Sequence, residues 1–108
     1  GLARGFRNVT IDMAWLALLS GPAADFWLDE WLEVLPTNKL MAFGGDCLTF
    51  FEVCAHLEMA QEMVAKALAR RVAECRCTEE VALTRAKQLF HDNPWEFYGL
   101  QERWADRR

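Results

Sequence analysis

No apolar run in this chain approaches the ~18 residues a bilayer span needs. The opening "GLARGFRN" carries charge with no apolar core behind it, so no secretory signal is expected in this stretch. Basic residues are outnumbered, 12 Lys and Arg against 16 Asp and Glu, for a net charge of −4. That balance argues against a nucleic-acid surface or an anionic-membrane surface. The closing "ERWADRR" is too short and mixed to reverse it, and reads as a frayed, solvated tail. Cysteine is limited to Cys47, Cys54, Cys75 and Cys77, with no C-x-x-C and no histidine at zinc-site spacing. A thiol-based zinc module is therefore the poorest reading, and reduced thiols in a cytoplasmic protein the better one. Histidine is limited to His56 and His91, both within helical patterns. No internal repeat or low-complexity stretch is present.

What the chain does have is apolar residues, at 53%, including five Trp and seven Phe. A dense core or an adhesive surface follows. "NVTIDMAW" alternates, with Val9, Ile11 and Met13 on one face, and reads as a strand. "SGP" breaks it and sets Pro22 at a helix start. From Ala23 to Leu35 an apolar face of Ala24, Trp27, Leu28, Trp31, Leu32 and Leu35 opposes Asp25, Asp29 and Glu33. Pro36 ends that helix. "KLMAF" is a short continuous apolar run, the pattern of a strand buried on both faces in a parallel sheet.

Thr49 and Glu52 have the spacing of a capping box, so a helix starts at Phe50 and carries its stripe to about Ala73. Thr78 caps a third helix, with Glu79 and Glu80 in its first turn and Ala82, Leu83, Ala86, Leu89 and Phe90 buried. Asn93 before Pro94 restarts a short helix that Gly99 ends. The expectation is one domain over 1–108, α/β and helix-rich, with a βαβ unit at about 8–46 and C-terminal helices at about 50–100. Two parallel strands leave outer edges in need of protection. The opening at Gly and this incomplete sheet both suggest a piece of something larger.

Asp46 is the candidate for chemistry. It follows a buried strand and two glycines, Gly44 and Gly45, and a carboxylate there can ligate a metal or act as a base. Spacing alone also accommodates a turn residue or helix cap.

The segments "NKLMAFGGD" and "TEEVALTRAKQLFHDNPWEFYGL" resemble the C-terminal end of the amidohydrolase superfamily, in its uronate isomerase-like branch of metal-dependent hydrolases. "NVTIDMAWL" with its following helix looks like that branch's seventh strand and helix, and "KLMAFGGD" like its eighth strand. The likeness runs from about Asn8 to Leu100. It implies a partial (β/α)8 barrel holding about the last two βα units plus the C-terminal helices, in the fold known as the TIM barrel. It further implies that Asp46 is both metal ligand and catalytic residue, handling the proton of a water activated by a divalent metal, zinc first among the choices.

The chain also departs from the pattern. The H-x-H pair and the mid-barrel histidines have no counterpart, and the family's Tyr-Gly-His appears as Cys54-Ala55-His56. His56 reads as a packing or surface residue and His91 as a cap or dipole partner. One carboxylate is not a metal site, so the chain alone is expected to bind no metal and catalyse nothing. Its expected partners are a second copy or the remainder of the barrel. The other functional class left open is a non-catalytic, mostly helical module that self-associates.

Overall fold

A computed structural model describes residues 1–105 of the chain. Its elements run α1 (Leu2–Gly5), β1 (Ile11–Asp12), α2 (Leu16–Leu19), α3 (Gly21–Val34), a 3₁₀ turn (Thr37–Lys39) and β2 (Leu40–Met41). There follow α4 (Phe50–Ala73), α5 (Glu79–Lys87), a π turn (Gln88–Asp92), α6 (Asn93–Phe97) and α7 (Leu100–Ala105). The tail expected at "ERWADRR" is helical through Ala105, and its last positions, 106–108, lie outside the described residues.

The expectation of a partial (β/α)8 barrel is corrected. Among the described residues the sheet is a single parallel pair, Ile11 opposite Leu40 and Asp12 opposite Met41, in a helix-rich body, and it is not closed into a barrel. The expected strands are cut short for local reasons. The Asp12 carboxylate accepts the Ala14 N–H at 2.8 Å and diverts it from any ladder, and Trp15 then turns left-handed at φ 64°. On the second strand, Lys39 belongs to the 3₁₀ turn. Its ammonium donates to the carbonyls of Phe6, Arg7 and Val9, which ties the N-terminal segment to the entry of β2.

A two-stranded sheet survives here because a helix seals the free edge of β2. The Ala42 N–H donates to the Leu89 carbonyl at 3.0 Å. That carbonyl is free for a reason written in the sequence. In the π turn, the Asn93 N–H bonds to Gln88 rather than Leu89, and Pro94, next in register, has no N–H to give. The short helix expected at Asn93 and Pro94 is present as α6, but it continues the π turn without a break, so Asn93 is not a non-helical cap. It is helical at φ −65°, and its buried side-chain amide donates to the carbonyls of Thr37 and Leu40, each at 2.7 Å. β2 is thus closed by helix atoms on an edge that the sequence left in need of protection.

The core collects Leu28 and Leu32 of α3, Leu40 and Ala42, Met63, Val64, Ala67 and Leu68 of α4, and Leu89. Trp31, expected on the buried face of α3, packs partly buried against this core, whereas Trp27, expected there too, stays outside it. They stack on each other, with Trp27 about half exposed.

A polar clasp joins α3 to the end of α4. The buried Arg71 guanidinium donates to Asp29 Oδ1 at 2.8 Å and Glu33 Oε2 at 3.1 Å, and to the Asp29 carbonyl at 2.6 Å. Arg76 reaches the same two carboxylates, because α4 ends in a Schellman motif. Arg76 N–H bonds back to the Arg71 carbonyl at 2.8 Å and Cys75 N–H to Val72 at 3.0 Å, so both arginines emerge side by side. The motif puts Cys75 at φ 57°, a left-handed position that favours glycine. Cys75→Gly is therefore expected to raise stability by about 1 kcal/mol, read as a higher urea midpoint at unchanged slope.

Candidate functional site

The carboxyl ends of the two parallel strands meet in one place. Asp12 closes β1, Asp46 follows β2 beyond Gly44 and Gly45, and Thr49 starts α4 through the expected capping box. Asp46 is exposed and left-handed at φ 36°, a conformation that short polar side chains tolerate better than most. Its Oδ2 accepts the Trp15 indole N–H at 3.0 Å. The left-handed turn at Trp15 is what aims the indole there.

Gly44 is required by close approach. A Cβ on it would lie 2.5 and 2.7 Å from the two Asp12 carboxylate oxygens and 2.9 Å from the Ala14 Cβ. The Asp12 side chain is short and already holds Ala14 N–H, so it has little room to retreat. Gly44→Ala is expected to cost about 1–3 kcal/mol by overpacking. It should also shift the Asp12, Ala14 and Trp15 amide resonances more than any others.

Cys47 and His56 complete the cluster. Cys47 Sγ contacts the Gly45 carbonyl and lies 3.0 Å from His56 Nδ1. The His56 ring packs edge-on against Trp15 with centroids 5.6 Å apart. Burial pushes the Cys47 thiol above its ordinary value, and the charges of Glu52 and Asp46 push it further the same way. It remains a protonated thiol that donates to the carbonyl; the thiolate needed for a nucleophile is disfavoured.

The structure therefore brings Asp46, Trp15, His56, Cys47 and Asp12 to one rim, whereas sequence reasoning singled out Asp46 alone. The alternation that put Asp12 on a strand face contained the clue to its position, while the Trp15 and Cys47 contacts carried no sequence signal. His91 lies elsewhere. It stacks on Trp95 with centroids 5.4 Å apart and bonds Asp92 at 2.8 Å. Together with Lys87 it holds the Asp92 carboxyl below its usual range.

Whether these residues fit a divalent metal is decided by ligand count. No group of three or more His, Cys, Asp or Glu side chains among the described residues is arranged to hold an ion. One Asp46 oxygen is also engaged by an indole. These residues do not by themselves fit the metal that the amidohydrolase likeness implies. No helix among the described residues is long and apolar enough to cross a membrane. No protein-family model, curated protein or solved structure matches the chain.

Proposed function

We propose that this chain contributes a single carboxylate, Asp46, to the centre of a cytoplasmic metal-dependent hydrolase or isomerase of amidohydrolase type. The remaining ligands come from other polypeptide, and the chain is inactive by itself. One observation carries the reading: an exposed carboxylate, with no ion-pair partner among the described residues, sits past the C-terminal end of a buried parallel strand. Asp29 is held by arginines and Asp12 by a backbone N–H, whereas among the described residues Asp46 is bonded only by the Trp15 indole. The expected metal is zinc or another divalent ion that lowers the pKa of bound water.

The test is metal analysis of the assembled protein, with every ligand-bearing segment present. Asp46→Asn should lose bound metal and activity together while the assembly stays folded. An Asp46→Asn assembly that kept both would remove Asp46 from the centre.

A second reading, a non-catalytic module that self-associates, is favoured by one specific feature. At the start of α4, Leu48, Phe50 and Phe51 are 98%, 76% and 83% exposed. Such adjacent apolar side chains mark an interaction surface. Light scattering at micromolar concentration should then report a dimer or larger, and Phe50→Ser with Phe51→Ser should return the monomer. A wild-type monomer rejects this reading.

A further inference from the structure

At the amino ends of the strands, on the far side from Asp46, a cavity of about 200 Å³ lies between three segments. These are the approach to β1 with Arg7 and Asn8, the turn before β2 with Asn38 and Lys39, and α6 with Asn93, Glu96 and Phe97. At the ~30 Å³ that a water occupies in the liquid, the space holds a molecule of roughly six or seven non-hydrogen atoms.

Its polar groups differ in what they have left to offer. Lys39 has none, since its ammonium already donates to three carbonyls. Asn93 is 8% exposed and gives both N–H donors to Thr37 and Leu40, while its Oδ1 has no partner among the described residues and is not sealed from solvent. Asn93 lines the cavity, which is where a ligand would meet that acceptor. Arg7 and Glu96 have no ion-pair partner among the described residues and contribute opposite charges to the lining.

We propose that this cavity binds a compact α-amino acid as its zwitterion. The carboxylate pairs with the Arg7 guanidinium, whose planar fork suits two oxygens. The ammonium, a donor of three N–H bonds, pairs with Glu96 and Asn93 Oδ1. Phe97 supplies an apolar wall for a small side chain. A simple anion would bring its charge up to Glu96, and a simple cation would meet Arg7, so a ligand carrying both charges matches the lining best. The proposal is independent of the role given to Asp46.

The experiment is a heteronuclear NMR titration of the whole chain with L-alanine, with propionate (which lacks the ammonium) and with alaninamide (which lacks the carboxylate). L-alanine should give saturable shifts confined to 7–10, 38–39 and 93–97, with a dissociation constant of about 1 mM. Propionate, alaninamide, and the surface variants Arg7→Gln and Glu96→Gln should each weaken binding about tenfold, as expected for losing one charged hydrogen-bonding partner. Absence of a saturable shift with L-alanine overturns the proposal. So does equal binding of propionate, which would leave an anion site only, or of alaninamide, which would leave a cation site only.

Discussion

Leu40→Ala is expected to cost about 3–5 kcal/mol, the upper part of the range for deleting a buried leucine side chain. Leu40 is fully buried in β2, and the structure around it has little freedom to collapse. Its partner strand is held by the parallel ladder, its carbonyl is bonded by Asn93, and the next residue but one is pinned by Leu89. Stabilities of domains this size are about 5–15 kcal/mol, so the change removes a third or more of the total in most of that range. Urea denaturation reads it as a lower midpoint at constant slope. A loss under about 1 kcal/mol would mean that Leu40 is not closed in by these neighbours.

The second large effect is expected at the clasp. Arg71→Met keeps the apolar stem of a residue that is only 2% exposed, but leaves Asp29 and Glu33 with Arg76 as their one cation among the described residues. Breaking a buried pair typically costs about 3–5 kcal/mol, and the surviving Arg76 contacts reduce that to about 2–3 kcal/mol at pH 7. The pH dependence follows from the two carboxyls. Burial pushes Asp29 up, but hydrogen bonds from Arg76 and Arg71 and their charges outweigh it and hold the group below its ordinary value of 3.8. Glu33 is held below 4.5, first by hydrogen bonds from Arg76 and then Arg71.

Groups with lowered folded values contribute stability that is fully present above their unfolded values. That contribution disappears as pH falls through the folded ones. The gap between wild type and Arg71→Met should therefore be complete at neutral pH and shrink below the ordinary carboxyl range. A gap unchanged at acid pH would assign the loss to packing.

Local punctuation was legible in the sequence. Thr49 and Glu52 form the capping box they spell out, Thr78 caps α5, and Gly99 turns left-handed at φ 59° where its helix stops. The placement of Asp46 past a buried apolar run was legible for the same reason, since strand, glycines and capped helix are all short-range signals. What sequence reasoning missed is what depends on distant backbone. Asn93 and Pro94 look like a helix break, but the side chain of Asn93 finds carbonyls across 53 and 56 positions of sequence, and Pro94 leaves the Leu89 carbonyl open to Ala42. Those contacts replace the strand neighbours that the barrel expectation required. Trp27 shows the converse, since periodicity assigns a residue to a face but not the neighbour that covers it.

Asp46 is the centre of the proposed function. Alone it makes no stoichiometric metal site, but fast-exchanging manganese at low occupancy tests its metal-facing role on the chain itself. In a titration with Mn²⁺ followed by NMR, line broadening should begin at the amides of Gly44, Gly45, Asp46 and Cys47, ahead of those beside other exposed carboxylates. Asp46→Asn keeps an acceptor for the Trp15 indole and should leave the fold intact while abolishing that early broadening. Broadening that simply follows every exposed Asp and Glu, and that Asp46→Asn does not change, would contradict the metal-facing role assigned to Asp46.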